Sequence, residues 1–282
     1  MPELPEVEVL VRRLRPLLEN KKVRDVLVRR PKVLGKSTVA GFTATLRGAR
    51  FVTIRRRGKY LLFGLEAPRH KELTLVGHLG MTGRMYLQSP SQELPRHAAV
   101  VLDLGRERFV FEDTRYFGKL TLDRTGVDSL GPEPLDERFT LEAFAAALSH
   151  SRQAIKIKLL DQHLVAGVGN IYASEALFRA GISPRVQARR LKRAQVGRLR
   201  LALREVLAEA IRFGSTVPLN VAGNGKRDGL FYFGRAPGTP DFYEERLRVY
   251  DRAGQPCPGC GGAIKRIVQG ARSTFHCPRC QR

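Results

Sequence analysis

The chain opens Met1-Pro2-Glu3-Leu4-Pro5-Glu6. A small residue at position two permits removal of Met1, which leaves Pro2 as a free secondary amine beside a carboxylate. Such an amine can attack a sugar C1′ and form an iminium ion, as lysine forms Schiff bases. An N-terminal amine has an ordinary pKa of about 7.7–8.0 against about 10.4 for lysine, so more of it is unprotonated at neutral pH. The same residues also suit the start of a helix, with Pro5 in the first turn and acidic side chains at its positive end. The two readings are compatible, because the positive end of a helix dipole favours the unprotonated amine. At the other end of the chain stands Cys257-x2-Cys260-x16-Cys277-x2-Cys280. Two CxxC knuckles at that separation match a tetrahedral structural zinc site, the alternative being four reduced free cysteines. Four thiolates leave no open coordination position, so the site implies one structural Zn2+ and no catalysis. Lys265, Arg266 and Arg272 lie between the knuckles, basic residues that would suit such a hairpin to grip a polyanion such as DNA.

Four further segments carry side chains suited to nucleic acid. Arg55-Arg56-Arg57-Gly58-Lys59-Tyr60 is a basic run entering a strand, either a solvated strand end or a way to aim Lys59 into a cleft. His78-Leu79-Gly80-Met81-Thr82-Gly83 is a glycine-flanked tip. Most methionines pack in cores, but one between glycines in a loop suits a wedge. Arg115-Tyr116-Phe117-Gly118 sets a cation two residues from an aromatic ring, which fits a gap in a base stack as well as it fits core packing of Phe117. Gly167-Val168-Gly169-Asn170-Ile171-Tyr172 lacks the third glycine of a dinucleotide fingerprint and follows a helix, so that reading is rejected. A phosphate cradle at a helix N-terminus and a plain helical hairpin both remain open.

These residues need elements to position them. Leu4, Val7, Val11, Leu14 and Leu18 recur at helical spacing and predict a helix over 5–18. Short β-like runs follow at 23–29, 43–46, 50–54, 60–65, 72–76, 84–87, 98–104, 108–111 and 119–123, separated by glycine- and proline-bearing turns. They predict a β-sandwich or barrel built on one long helix. Gly131-Pro132-Glu133-Pro134 reads as a linker. Helices are then predicted over 140–149, with Thr140 as N-cap, and over 155–164, 171–180 and 194–213. The last carries Leu199, Leu203, Val206 and Ala210 on its apolar side. Residues 214–243, rich in glycine and proline, read as a long mobile loop, and a short β-hairpin with the cysteines closes the chain.

Charge narrows the partners. The 282 residues hold 50 Lys+Arg against 27 Asp+Glu, a net +23 that calls for a polyanion. Apolar runs are too short to span a membrane and the N-terminus is not signal-like. All four cysteines sit in the last 26 residues, which excludes a secreted disulfide framework. The reading is a soluble intracellular protein whose partner is nucleic acid.

Taken together, the segments beginning at Met1, Gly58, His78, Arg115, Gly131 and Gly167 and the terminal zinc finger closely resemble the formamidopyrimidine-DNA glycosylase and endonuclease VIII family of bifunctional repair enzymes, nearest its formamidopyrimidine branch. The resemblance implies an α+β, multi-domain fold. Residues 1–132 would be a catalytic β-sandwich with its long helix. Residues 133–248 would be a helical, helix–two-turn–helix domain carrying a lesion-capping loop at 214–243, and residues 249–282 a zinc finger, with DNA in the cleft between the lobes. It implies Pro2 as Schiff-base nucleophile, Glu3 as general acid/base, Glu6 as a supporting carboxylate, and Lys59 and Arg272 as further participants at the reacting sugar and phosphates. Met81, Arg115 and Phe117 would fill the void left by the flipped nucleotide, and His78, His97, Arg152, Asn170 and Arg272 would hold the DNA backbone. The partner would be double-stranded DNA with a damaged base, met by a monomer in the bacterial cytoplasm, with the nucleoid, without membrane or obligate protein partner.

Two departures bear on substrate preference. The family's capping loop commonly reads GGTTL…DG…G, where this chain has Gly214-Ser215-Thr216-Val217-Pro218-Leu219, and Tyr116 follows Arg115 where arginine is usual. Oxidised-pyrimidine preference, a non-catalytic damage binder on the same scaffold and an RNA-binding zinc-ribbon protein are the rival readings. The intact Pro2-Glu3 pair speaks against the second, and nothing in the third explains the N-terminus.

Overall fold

A computed structural model describes residues 2–68, 70–214 and 247–282, which form two compact units. Among the described residues the first holds Pro2 and 6–128, and the second holds Glu3–Pro5, 129–214 and 247–282.

Helix α1 (Leu4–Leu18), which lies in the first unit from Glu6 on, buries Val7, Leu10, Val11, Leu14 and Leu18 at the predicted spacing. Eight strands follow, β1 (Asp25–Val28), β2 (Arg50–Arg57), β3 (Tyr60–Ala67), β4 (His70–His78), β5 (Gly83–Gln88), β6 (Ala98–Asp103), β7 (Arg108–Asp113) and β8 (Lys119–Thr121). They make two four-stranded sheets, β1-β6-β7-β5 and β2-β3-β4-β8. Every neighbouring pair is antiparallel. Alternation sends Leu61, Phe63 and Leu65 of β3 inward, and Phe63 meets Phe109 of β7 edge-on at 5.6 Å between ring centres. Phe51 stands 6.3 Å from the same ring, so aromatic side chains fill the space between the sheets. This is the expected β-sandwich.

One expected strand is not there. Residues 43–46 lie in helix α2 (Val39–Leu46). The Thr38 hydroxyl accepts the Gly41 N–H at 3.1 Å, and Phe42 and Leu46, four apart, are both buried. Capping and i,i+4 burial outweigh the β-preference of Thr43 and Thr45. A short α3 (Thr125–Asp128) ends this unit.

The second unit is helical, with α4 (Leu141–Ser149), α5 (Ile155–Lys158), α6 (Asn170–Ala180) and α7 (Arg193–Gly214). Thr140 caps α4 as expected, accepting the Ala143 N–H at 3.2 Å. The helix expected over 155–164 stops at Lys158. Polar side chains bend the chain there. Asp161 accepts from Lys158 and from the His163 N–H, while Gln162 donates to Leu160 and Val168 and accepts the Gly167 N–H. The result is two turns between α5 and α6. Leu199, Leu203 and Val206 of α7 are buried, and Arg179 of α6 bridges to Glu205 and Glu209 of α7. Residues 131–134, read as a linker, lie inside the second unit and are tied into it. Gly131 donates to Gln162 O at 2.9 Å, Ala166 to Pro132 O at 3.0 Å, and Arg204 to Pro134 O at 2.9 Å.

The cysteine-bearing hairpin is β9 (Lys265–Gln269) against β10 (Arg272–His276), joined through Gly270 and Ala271, both at positive φ as a tight hairpin turn requires. Its core is Val249, Ile264 and Phe275. Glu175 of α6 anchors the approach, accepting N–H bonds from Arg248, Val249 and Tyr250 at 2.8, 2.9 and 2.8 Å. Among the described residues no helix is long and apolar enough to cross a membrane. The loop expected over 214–243 lies outside the described residues beyond Gly214.

Candidate active site and nucleic-acid interface

Glu3 is 1% exposed, and its carboxylate occupies the N-terminus of α6. It accepts the N–H groups of Gly169 and Ile171 at 2.8 Å each and of Tyr172 at 3.3 Å. A helix leaves its first N–H groups without internal partners, and α6 has no side-chain cap at Gly169. A carboxylate 166 residues away in sequence takes that place. The fit needs glycine: a Cβ on Gly169 would lie 2.3 Å from the Glu3 Cδ, and one on Gly167 would lie 2.6 Å from the Leu4 Cβ. Leu4 N in turn donates to Gly167 O at 3.0 Å. The Gly167–Asn170 segment is therefore a socket for the N-terminal residues. The N–H groups that could have cradled phosphate are filled by Glu3.

Asn170, the first residue of α6, holds Lys156 Nζ on its Oδ1 at 2.7 Å and donates from Nδ2 to Ser273 O at 2.9 Å. Lys156 is fully buried, with Thr274 Oγ1 at 3.4 Å as a second partner. Burial, opposed by the Glu3 charge and aided by that of Arg272, brings its pKa down to about 8. Sequence reasoning missed Lys156. The signal was a lysine inside the apolar run Ile155-Lys156-Ile157, where a solvated lysine has no place. Arg272 itself is exposed at the start of β10, and Arg152 is exposed on the connection between α4 and α5.

In the first unit, Pro2 is buried and Glu6 is buried in the first turn of α1. Lys59, also buried, sits at the β2–β3 turn beside Gly58, whose φ is +55°. Glu8 braces that turn: its carboxylate accepts Arg56 Nε at 2.8 Å, and Arg56 Nη1 donates to Gly58 O at 3.1 Å. His78, at the end of β4, is brought down to a pKa of about 4 by its enclosure and by the Lys59 charge. Its Nδ1 accepts the Gly80 N–H at 3.1 Å, so the neutral ring presents Nε2–H as a donor.

The three expected wedge residues emerge from neighbouring loops. Met81 is 40% and Phe117 53% exposed, so Phe117 is not a core residue. The Arg115 guanidinium lies 5.1 Å from the centre of the Phe117 ring. Between them Tyr116 turns at φ +53°, stacks under Arg30 at 5.1 Å and sets its hydroxyl 3.2 Å from His97 Nδ1. Tyr116 thus offers a ring and a hydroxyl that hold His97. Lys59, His78, Met81, Arg115, Phe117 and His97 all lie in this unit, and Glu3, Asn170, Lys156 and Arg272 in the second.

Cys257, Cys260, Cys277 and Cys280 hold their sulfurs within 4.8 Å of one another. The Cys257–Cys280 and Cys260–Cys277 separations are 3.8 and 3.5 Å. Tetrahedral Zn–S bonds of about 2.3 Å place sulfurs about 3.8 Å apart, so the four residues fit one zinc ion and no disulfide.

Comparison with known proteins accounts for the whole chain. Residues 1–120 match the formamidopyrimidine-DNA glycosylase N-terminal domain, 130–219 the formamidopyrimidine-DNA glycosylase H2TH domain, and 254–282 the zinc finger found in FPG and IleRS. The formamidopyrimidine-DNA glycosylase of Paracoccus denitrificans is 44% identical over the full length of both chains. The crystal structure of the MutM (Fpg) protein of Thermus thermophilus is 41% identical, covering 99% of this chain and 98% of its own, with a TM-score of 0.81. The Lactococcus lactis Fpg bound to N7-benzyl-Fapy-dG DNA superposes over 100% of both chains with a TM-score of 0.86 at 30% identity. The four cysteines form a single zinc-binding site.

Proposed function

The chain belongs to the formamidopyrimidine-DNA glycosylase family, and from that premise we propose that it is a bifunctional DNA glycosylase and abasic-site lyase of base excision repair, removing 8-oxoguanine and formamidopyrimidines from duplex DNA. The observation that carries this reading is the Glu3 carboxylate, fixed by three backbone N–H groups one residue from the Pro2 nitrogen. A buried acid held in one orientation beside a secondary amine suits proton transfer at a sugar.

Flipping the damaged nucleotide costs a few kcal/mol, which Met81, Arg115 and Phe117 offset by replacing lost stacking. With Met1 removed, Pro2 attacks C1′ and the damaged base departs. The iminium ion that results draws electrons from C2′–H and makes it acidic. Strand cleavage follows by β- and then δ-elimination. Glu3 shuttles the protons, a role worth about 10²–10⁴ in rate. Glu6 supports it, and Lys59 contacts sugar and phosphate and assists elimination. His78, donating from Nε2, holds the backbone together with His97, Arg152, Asn170 and Arg272. The zinc ion keeps the hairpin folded and takes no part in the chemistry.

The division of labour follows the chain: 1–132 for chemistry and wedge, 133–248 for the helix–two-turn–helix grip and the capping loop, and 249–282 for the finger. The setting is DNA of the bacterial nucleoid. A panel of duplexes bearing 8-oxoguanine, formamidopyrimidine or oxidised pyrimidine, read by strand cleavage, tests the reading. Cleavage fastest at the purine lesions is expected. Cleavage fastest at oxidised pyrimidines overturns the substrate assignment, and binding without scission overturns the enzymatic one.

A further inference from the structure

We propose that Asp113 is the positioning residue of the wedge: its buried carboxylate fastens the Met81 loop and the Phe117 loop into one rigid base. The inference rests on the wedge role given above to Met81, Arg115 and Phe117.

Asp113 ends β7 and is 0% exposed. Oδ1 accepts the Thr82 hydroxyl at 2.6 Å and the Arg115 N–H at 3.1 Å, and Oδ2 accepts the Gly118 N–H at 2.7 Å. Thr82 adjoins Met81. The Arg115 and Gly118 N–H groups bracket Phe117. One carboxylate therefore holds both wedge loops, and its bonds to Thr82 and Gly118 have the short distances of charge-assisted bonds. The loops also touch through backbone. Gly80 has φ +62°, and a Cβ there would lie 2.6 Å from Gly118 N and 2.7 Å from Phe117 C. A Cβ on Gly118 would lie 2.8 Å from His78 O and 3.1 Å from Asp113 Oδ2. The base of the wedge is close-packed while its tips, Met81 and Phe117, stand in solvent.

Glycine-rich loops with exposed apolar tips would have to be ordered each time they entered a base stack. Ordering them beforehand removes that cost from binding. Asp113 accordingly acts on insertion and flipping, and the chemistry at the sugar does not depend on it. A strand that needs no wedge separates the two. Single-stranded DNA carrying an abasic site has neither a base to remove nor a stack to fill.

The test compares single-turnover cleavage of an 8-oxoguanine duplex with that of a single-stranded abasic site, using the full zinc-loaded chain. In Asp113→Asn the amide can serve as acceptor on one side only and turns an NH2 toward donors on the other. Duplex cleavage is expected to fall on the order of ten- to a hundredfold, with single-strand cleavage within about threefold of the unmodified chain. Thr82→Ala, which frees only the Met81 loop, is expected to shift the same ratio by less, and it carries the test if Asp113→Asn does not fold. Equal losses on both substrates, or no loss on either, overturn the proposal. Phe117→Ala distinguishes the levels. If it too spares the duplex substrate, the wedge reading fails. If it impairs the duplex while Asp113→Asn and Thr82→Ala do not, only the role of Asp113 fails.

Discussion

Single side chains in this protein are set by partners far away in sequence, and His78 shows what that does to chemistry. An exposed histidine takes up a proton near pH 6.5. His78 is held neutral to about pH 4 by enclosure and by Lys59, with Nδ1 committed to Gly80. Its capacity to donate from Nε2 therefore does not vary across physiological pH. The sign for stability follows. Between pH 6.5 and 4 the unfolded chain binds a proton at this ring and the native protein does not, so acidification through that window destabilises the fold. Above 6.5 the ring is neutral in both states and contributes no slope. Nitrogen-detected NMR should find the His78 ring neutral at about pH 5.5, and His78→Gln should flatten part of the loss of stability seen on acidification from 6.5 to 4. A His78 ring that titrates near 6.5 would contradict the account.

Elements are joined by close approaches that only certain residues permit. Gly169 is the plainest, since α6 has Glu3 in place of its own cap. Gly169→Ala puts a methyl group 2.3 Å from the Glu3 Cδ, which cannot be absorbed without moving the carboxylate. The expected outcome is a stability loss of about 1–3 kcal/mol, read by denaturant titration, with excision reduced at least a hundredfold. A variant of normal activity would show that the placement of Glu3 is not needed. This scale also marks how far sequence can be read. The apolar periods of α1 and α7, the strand alternation and the Thr140 cap are local signals, and each is where sequence puts it. Residues 43–46 misled because two threonines in four residues favour a strand, whereas the cap at Thr38 and the Phe42–Leu46 pair decide for a helix. The helix after Ile155 was overextended because the side-chain bonds of Asp161 and Gln162 that end it are invisible to an apolar count. Motifs pointed to Glu3, Asn170 and the cysteines, but the GVGN segment gave no hint that its ligand was the chain's own third residue. Lys156 and Asp113 escaped for one reason: a buried charge is recognised by its partners, and Thr274 is 118 residues from Lys156 while Thr82 is 31 from Asp113.

Across the whole molecule, the net charge of +23 and the terminal hairpin bear on affinity. The hairpin's own core is small, resting on Val249, Ile264 and Phe275. Structural zinc therefore supplies much of its folding free energy. One zinc per chain is expected by elemental analysis. Chelation should unfold the hairpin, release Arg272 and weaken duplex binding at least tenfold, while the β-sandwich keeps its circular dichroism. Undiminished affinity without zinc would remove the finger from the interface. Resemblance identified the family, and the fold agrees with it, while the proposed chemistry returns to the amino terminus. Borohydride trapping on an 8-oxoguanine duplex, followed by peptide mass mapping of the adduct, tests that directly. A chain verified to begin at Pro2 is expected to yield one covalent adduct, with the deoxyribose remnant on Pro2. An adduct on a lysine, or full-speed excision by a chain that still carries Met1, would contradict it.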